Sequence, residues 1–314
     1  MDPDPLLSGP PGKPENPVDN LKSLKTNGMI QRHTYEIEGK GFRLSLGNKT
    51  RIMGVLNVTP DSFSDGGLFY HQEKAVAQGE ALAAQGADLL DIGGESSRPF
   101  SDPISTDEEI ERIVPVIKAL APKISIPISV DTCKAQVARA ALDAGAALVN
   151  DISALRFDPQ LAKVVAEYEV PVVLMHMQGI PRDMQLQPRY DHLLSEIKHF
   201  FVERIGAAQS QGIPLEKILI DPGIGFGKTF DHNLTLIKRL DFFQDLDRPI
   251  VLGTSRKAFI GKLTGQEPLN RDWGTAATLV VGVWQGAHLV RVHNVETAKQ
   301  VLAVTDALCE AMEE

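Results

Sequence analysis

Short apolar runs alternate with longer amphipathic segments along the chain from residue 51 onward. The runs have the length of β-strands, and the longer segments have the length and spacing of helices. The predicted strands are 52–58, 87–93, 126–132, 147–152, 171–177, Ile218–Asp221, 250–255 and 289–293. The predicted helices include 71–85, Thr106–Leu120, 134–144, 190–211, 272–285 and 295–313. Eight such units predict an α/β fold in which parallel strands close into a (β/α)8 TIM barrel.

An open, doubly wound sheet is the alternative, because it also consists of parallel strands separated by helices. Open sheets that bind dinucleotides carry a G-x-G-x-x-G turn after the first strand, whereas the sequence from Asn57 reads NVTPDSFSDGG. Eight repeated units without that turn favour the closed barrel. At the start of one predicted helix, Thr106 and Glu109 have the spacing of a capping box.

Two segments precede the repeated units. The first 20 residues are rich in proline and have neither a basic start nor an apolar stretch, so they do not predict a signal peptide or a membrane span. We expect residues 1–33 to form a disordered, proline-rich tail. The sequence TYEIEGKGFRLSL from Thr34 alternates around a turn with two glycines, which predicts a β-hairpin covering one end of the barrel. Residues 34–314, including this N-terminal hairpin, are expected to form one domain.

Polar or charged residues occupy the ends of the predicted strands. In a TIM barrel, the carboxyl ends of the strands carry the active site. Side chains alternate between the two faces of a strand, so Arg291 and His293 point into the barrel together with Leu289. The same parity predicts that one pocket contains Asn57, Asp91, Asp131, Asn150, Asp221, Lys257, Arg291 and His293.

The charges of this pocket indicate a class of ligand. Asp91, Asp131 and Asp221 need donors, because burial of an unpaired carboxylate is unfavourable. Structural ion pairs would satisfy any one of them, and a flat heterocycle with adjacent N–H groups would satisfy them by paired hydrogen bonds. Arg291 and His293 lie at the position where such barrels bind phosphate. We therefore expect a donor-rich ring that carries a phosphoryl group.

Composition limits the possible partners. The 314 residues have a formal net charge of −9, and no basic segment suited to a nucleic-acid backbone is present. Cys133 and Cys309 are too few for a disulfide framework and lack a C-x-x-C spacing. We expect no nucleic-acid partner, no membrane association and a cytoplasmic location.

Three other features are interpreted as structural. The sequence GKT at 227–229 resembles the end of a phosphate loop, but the glycine required five residues before Gly227 is Pro222. His176 and His288 fall on the outer faces of their predicted strands. We expect both histidines to pack against neighbours or to lie at the surface.

Eight segments, in order along residues 51–314, resemble the dihydropteroate synthase family. They are GVLNVTPDSFSDGG from Gly54, DIGGESSRPF from Asp91, SVDT from Ser129, NDIS from Asn150, MHMQGIP from Met175, DPGIGFGKT from Asp221, GTSRK from Gly253 and RVHNV from Arg291. The resemblance implies a TIM barrel that condenses 6-hydroxymethyl-7,8-dihydropterin diphosphate with 4-aminobenzoate, a transferase reaction of folate synthesis. It also implies Mg²⁺ as cofactor, sensitivity to sulfonamides and a homodimer.

The resemblance also implies a role for each matching residue. Pterin-ring binding is implied for Asp91, Asp131, Asn150, Asp221 and Lys257, with Met175 and Phe226 as apolar neighbours. Diphosphate binding is implied for Asn57, Arg291 and His293, and Asn57 is the implied Mg²⁺ ligand. The implied aminobenzoate pocket consists of Phe63, Ser97, Arg98, Pro99 and Ser255. The implied catalytic residues are Asp65, Asp91, Arg98 and Lys257.

The implied chemistry needs no side-chain nucleophile. Loss of diphosphate leaves a carbocation conjugated with the dihydropterin, and the aniline nitrogen then attacks it. Asp65 and Asp91 would stabilise that cation electrostatically. Alternatives are a methyltransferase acting on methyltetrahydrofolate, which needs no diphosphate site, and a non-catalytic pterin-binding paralogue.

Three positions depart from the family pattern. Ser97 stands where the family usually has threonine and keeps the hydroxyl, so we expect little change there. Phe100 replaces a usual glycine in SSRPF, which changes the shape expected for that loop. The last strand is followed by RVHN instead of RVHD, so Asn294 stands where the family usually has aspartate.

Overall fold

The structure is a computed structural model that describes residues 25–26, 29–30, 32–59, 68–97 and 101–311. Near the amino end, β1 (Lys25–Thr26) pairs antiparallel with β2 (Met29–Ile30). The predicted hairpin is formed by β3 (Tyr35–Gly39) and β4 (Phe42–Leu46), which also pair antiparallel. Lys40 and Gly41 make its turn, and Gly41 has a φ of +79°, a conformation that glycine adopts without strain.

Eight parallel strands form the main sheet in the described part of the chain. They are β5 (Arg51–Asn57), β6 (Leu89–Gly93), β7 (Ile128–Asp131), β8 (Leu148–Asp151), β9 (Val172–Met175), β10 (Ile218–Asp221), β11 (Val251–Leu252) and β12 (Leu289–Val292). Their order in the sheet is β10-β9-β8-β7-β6-β5-β12-β11. A parallel bridge between Ile220 and Ile250 brings the two ends of this sheet together. The sheet is therefore a barrel, as predicted.

Helices follow the strands and cover the outside of the barrel. They are α1 (Leu68–Gln85), α2 (Thr106–Leu120), α3 (Ala135–Ala144), α4 (Pro159–Glu167), α5 (Leu193–Ser210), α6 (Phe230–Lys238), α7 (Ala258–Thr264), α8 (Asp272–Trp284) and α9 (Val295–Glu310). Short 3-10 helices lie at Leu215–Lys217, Leu240–Leu246 and Pro268–Asn270. Among the residues described, no helix is long and apolar enough to cross a membrane.

Two local predictions were wrong in detail. The N-cap of α2 is Ser105, whose hydroxyl accepts a hydrogen bond from the Glu108 amide, so Thr106 is already the first helical residue. Glu109 makes no capping box, because its side chain is buried against Lys134. The predicted strand 250–255 is also shorter, since a turn with Arg256 at a φ of 58° takes the chain out of the sheet.

An apolar layer fills the amino end of the barrel interior. Ile37, Leu44 and Leu46 of the hairpin pack directly onto it, so the hairpin covers this end of the barrel, as predicted. The opposite, carboxyl end is left for polar groups. The inward-facing strand residues of the layer are Met53, Leu89, Leu148, Val173, Leu219, Val251 and Leu289.

Arg32 fixes the segment before the hairpin to the same end of the barrel. Its guanidinium donates to Asp306 Oδ1 at 2.9 Å and to Thr50 Oγ1 at 2.6 Å. Thr50 in turn donates from its amide and its hydroxyl to Asp306 at 2.9 and 2.7 Å. The packed part of the chain thus includes Arg32, which lies within the range predicted as tail. Residues 1–24, 27–28 and 31 lie outside the described residues.

Both outward-facing histidines are packing residues. His288 is 1% exposed, and its Nδ1 accepts from the Ile250 amide at 3.1 Å. His176 is 6% exposed and makes an edge contact with Phe200 of α5 at a centroid distance of 4.7 Å. The expectation that they pack against neighbours is confirmed.

Candidate active site

Polar side chains occupy the barrel interior directly above the apolar layer. Asp91, Asp221 and Arg291 each lie two residues after an inward-facing leucine of that layer, so alternation turns them to the same interior. They thus meet although they are far apart in sequence. The predicted inward direction of these three strand residues is therefore found in the structure, whereas Lys257 follows the turn after β11 and precedes α7.

Arg291 is the central cation of this group. Its Nε donates to Asp91 Oδ2 at 2.6 Å, and its Nη2 donates to Asp131 Oδ2 at 2.7 Å. Asn150 adds a donor, from Nδ2 to Asp91 Oδ2 at 3.0 Å. The side chain of Asp91 is completely buried, whereas Asp131 is 15% exposed. Asp91 therefore orients Arg291 and Asn150 from below, and Asp131 faces the open side.

Some polar atoms at this floor have no hydrogen-bond partner. Asp91 Oδ1 and Ser129 Oγ are both buried and unpaired. Burial raises the pKa of Asp131 to about 7, with Arg291 opposing the rise and Asp91 adding to it. A carboxylate with such a pKa changes charge near neutral pH, and its ionised form accepts N–H donors strongly.

A tight turn after β10 fixes Asp221. Its Oδ1 accepts from the Gly223 amide at 2.7 Å, and the residue is 5% exposed. Gly223 has a φ of +68°, and a Cβ there would lie 2.0 Å from the carbonyl oxygen of His176, so only glycine fits. Burial raises the pKa of Asp221, while the Gly223 amide and Lys257 oppose the rise.

Lys257 and Phe226 form one wall of the site. The Lys257 ammonium lies 4.0 Å from the centroid of the Phe226 ring, within the range of a cation–π interaction. Burial lowers the pKa of Lys257 to about 8, with Arg291 adding to the effect and Asp221 opposing it. Phe226 packs with Met175, Met177 and Met184. The two apolar neighbours of the predicted pterin site thus belong to one cluster.

His293 lies at the mouth of the barrel and is held by Ser255. The Ser255 hydroxyl is 2.9 Å from His293 Nδ1 and accepts from the His293 amide at 3.2 Å. Asn57 ends β5, next to Gly93 of β6. Asn294 caps α9 by accepting from the Thr297 amide at 3.0 Å and donates to Asp272 at 2.9 Å. The asparagine in RVHN therefore supplies the helix cap itself.

Comparison with known proteins places this chain in a family. A model described as pterin binding enzyme matches residues 53–293. The dihydropteroate synthase of Synechocystis is 46% identical over 263 residues, which are 83% of this chain and 91% of that protein. The chain belongs to the dihydropteroate synthases.

Solved dihydropteroate synthases have the same fold. The enzyme of Xanthomonas albilineans, solved with 4-aminobenzoic acid, superposes with a TM-score of 0.83 at 44% identity and covers 89% of this chain and 100% of that one. The same enzyme in complex with 7,8-dihydropteroate gives a TM-score of 0.80 at 43% identity, covering 88% of this chain and 100% of that one. The family is one of transferases in folate biosynthesis, and this chain is a member over nearly its whole barrel.

Four of the residues that the resemblance implied for the synthase site cannot be placed. Phe63, Asp65, Arg98 and Pro99 lie outside the described residues, as does Phe100. Ser97 is described and is partly exposed in the loop between β6 and α2.

Sequence reasoning missed two lysines near the synthase site, Lys228, which is buried, and Lys134, which is partly buried. Lys228 is 2% exposed and donates to the carbonyls of Phe226 and His176 at 2.9 and 3.2 Å, with His176 Nδ1 at 3.0 Å. Burial lowers its pKa well below the ordinary value. Lys134, just before α3, is surrounded by Glu95 and Glu109. The sequence signals are positional: Lys134 follows the SVDT motif closely, and Lys228 lies within DPGIGFGKT.

Proposed function

We propose that this protein condenses 6-hydroxymethyl-7,8-dihydropterin diphosphate with 4-aminobenzoate to give 7,8-dihydropteroate and diphosphate. The observation that carries the proposal is the interior group of Asp131, Asn150, Asp221, Lys257 and Arg291 at the carboxyl end of the barrel. Related enzymes solved with 4-aminobenzoic acid and with 7,8-dihydropteroate support the two substrates.

The pterin ring would lie between the carboxylates and the apolar wall. Asp131 and Asp221 offer oxygen acceptors to ring N–H donors, and Asn150 adds an amide. Lys257 would donate to a ring acceptor, because its ammonium extends over Phe226 into the site. Met175 and Phe226 provide the apolar contact that a flat ring requires.

The geometry changes the roles proposed for two residues. Asp91 is fully buried behind Arg291, so we propose that it acts by orienting Arg291 and Asn150 and contributes negative charge from below. Ser255 is engaged by His293, so we propose that it orients this histidine in addition to any contact with aminobenzoate. Direct stabilisation of the developing cation would then come from Asp65.

The diphosphate would bind at Asn57, Arg291 and His293. Among the described residues, no three His, Cys, Asp or Glu side chains are grouped to hold a metal ion. Mg²⁺ often binds through few protein oxygens together with substrate phosphates and water, which fits the single amide of Asn57. When bound with the diphosphate, Mg²⁺ would neutralise part of its charge and make it a better leaving group.

The aminobenzoate pocket is proposed from the resemblance. It would contain Phe63, Ser97, Arg98 and Pro99, and its closing loop would exclude water from the reactive centre. The aniline nitrogen would attack the carbon that loses diphosphate, and Lys257 and Arg98 are the cationic residues proposed at this centre.

A homodimer is proposed from an apolar surface on α7, α8 and the connection between them. Leu263, Leu269 and Trp273 are 61%, 75% and 83% exposed. Exposed apolar patches of this kind mark interfaces, and a second copy of the chain is the proposed occupant. Sedimentation equilibrium of the wild type and of Trp273→Asp measures this, with a dimer expected only for the wild type. A cytoplasmic location is also proposed, in keeping with the free thiols of Cys133 and Cys309.

One assay tests the activity. Purified protein is incubated with the pterin diphosphate, 4-aminobenzoate and Mg²⁺, and dihydropteroate is quantified by chromatography. Product formation is expected, and it should be lost with Asp221→Ala, which removes a rigid pterin acceptor. Absence of product under conditions where an active synthase control works would reject the proposed reaction and favour a non-catalytic pterin binder.

A further inference from the structure

Lys134 binds three oxygens that come from three different parts of the chain. Its Nζ donates to Glu95 Oε2 at 2.7 Å, to the Ile104 carbonyl at 2.8 Å and to Glu109 Oε2 at 2.8 Å. An ammonium has three protons, so all of its donors are used. The lysine thus makes no direct contact with a substrate and acts only on these groups.

Two of the three acceptors lie at the two ends of the loop between β6 and α2. Glu95 follows β6, and Ile104 lies just before Ser105, the N-cap of α2. The two ends of the loop are also joined by the Ser101 hydroxyl, which donates to the Ser96 carbonyl at 2.5 Å. Residues 98–100, between these two ends, lie outside the described residues. The two ends of the loop are therefore held together by Lys134 and by the hydrogen bond between Ser101 and Ser96.

The third acceptor attaches these two ends to the body of the protein. Glu109 of α2 is 1% exposed, and burial raises its pKa while Lys134 opposes the rise. Arg112, one turn later on α2, donates to the Gly94 carbonyl at 2.8 Å. Lys134 itself follows β7, three residues after Asp131 of the pterin site. The segment 131–134 therefore connects Asp131 of the proposed pterin site with the two ends of the β6–α2 loop.

We propose that Lys134 is a positioning residue that fixes the two described ends of the loop between β6 and α2, residues 94–97 and 101–105, and thereby sets the affinity for the aminobenzoate substrate. The proposal rests on the proposed function, because the loop carries Ser97 of the proposed aminobenzoate pocket. The oxygens that the Lys134 ammonium holds belong to Glu95, Ile104 and Glu109, and none of these is a proposed pterin contact. Its loss should therefore affect one substrate more than the other.

The test compares three variants with the wild type. Lys134→Met removes the tie but leaves Glu109 buried without its cation, which can destabilise the fold. Lys134→Met combined with Glu109→Gln removes that unpaired charge while the loop stays untied. Lys123→Met is the matched control, because Lys123 pairs with Glu80 in a surface ion pair away from the loop. Steady-state KM for each substrate, kcat and the melting temperature are measured for all.

The double variant is expected to recover wild-type stability while its KM for 4-aminobenzoate stays raised by roughly tenfold or more, as a displacement of about 1 Å can cause. Its KM for the pterin diphosphate should stay within about twofold, a difference of roughly 0.4 kcal/mol. Hydrogen exchange of amides in 94–97 and 101–105 should be faster than in the control variant. An unchanged aminobenzoate KM, or an equal rise in both KM values, overturns the proposal.

Failure of the proposed reaction is separable from failure of this inference. If the wild type makes no dihydropteroate, the reaction is rejected, and the hydrogen-exchange comparison still tests the tie. If the wild type is active and the double variant exchanges the amides of 94–97 and 101–105 at the wild-type rate, Lys134 does not position the loop.

Discussion

Arg291 and Asp91 are joined by a 2.6 Å hydrogen bond between residues that are 200 positions apart in the sequence. Asp91 has no access to solvent, so this contact is closed to water and strongly electrostatic. The guanidinium has five N–H donors, of which Asp91 takes the one on Nε and Asp131 takes one on Nη2. The position of the main cation of the site therefore depends on a carboxylate that no substrate needs to contact.

We predict that Asp91→Asn lowers kcat/KM by on the order of tenfold to a hundredfold, because a small misplacement of Arg291 is sufficient for such a loss. The asparagine keeps the shape and one oxygen but removes the charge that orients the guanidinium. Asp88→Asn is the matched control, since Asp88 pairs with Arg51 at 2.9 Å at the amino end of the barrel. Equal activity in the two variants would show that Asp91 has no orienting role.

Lys257→Ala should weaken binding of the pterin substrate by at least roughly tenfold, because it removes both a charged donor and a cation–π partner of Phe226. Lys262→Ala removes a similar contact, with Nζ 4.5 Å from the Phe230 centroid, outside the site. Calorimetric titration with a pterin ligand measures both. Wild-type affinity in Lys257→Ala would remove this lysine from the proposed site.

Arg32→Met is predicted to destabilise the fold by about 3 kcal/mol or more, because it leaves the buried Asp306 without its cation. The two side chains are 6% and 12% exposed in the ion pair. Arg43→Met should leave the melting temperature nearly unchanged, since Arg43 and Glu36 form an exposed pair. Denaturant unfolding checks both, and a variant of Arg32 as stable as that of Arg43 would contradict the anchoring role.

The sequence predicted the barrel and much of the site because both follow from periodicity. Alternation along a strand decides which side chains enter the barrel, so the inward direction of Asp91, Asp221 and Arg291 could be counted from the sequence. Partners could not be counted, because Arg291 on β12 meets Asp91 on β6 only when both strands pair with β5 in the folded sheet. The sequence therefore placed Arg291 with the diphosphate, and its engagement with two carboxylates emerged only in the structure.

Local signals failed where tertiary contacts overrule them. Thr106 and Glu109 have capping-box spacing, but Lys134 draws Glu109 into the interior, and Ser105 takes the cap. Lys228 carries no periodic signal, since its role depends on carbonyls supplied by two separate segments. The roles of Phe63, Asp65, Arg98 and Pro99 stay predictions.

The activity should depend on pH through Asp131 and Lys257. Burial raises the pKa of Asp131 from 3.8 to about 7 and lowers that of Lys257 from 10.5 to about 8. The proposed reactive form has Asp131 ionised, to accept ring N–H groups, and Lys257 protonated, to donate. The form in which both groups are charged is most populated between the two folded-state pKa values, about 7 and about 8. We therefore expect a narrow bell for kcat/KM that rises through about pH 7 and falls through about pH 8.

The raised pKa of Asp131 also makes the stability of the fold depend on pH. Because the folded pKa of Asp131 lies above its unfolded value, ionisation is disfavoured in the fold, and its contribution to stability falls as pH rises from about 4 to about 7. Asp131→Asn should abolish both this loss and the acid limb of kcat/KM. Asp91→Asn should move that limb to lower pH, because Asp91 raises the pKa of Asp131. Lys257→Arg should move the alkaline limb upward, since a guanidinium stays charged. An acid limb that remains near pH 7 in Asp131→Asn would assign it to another group.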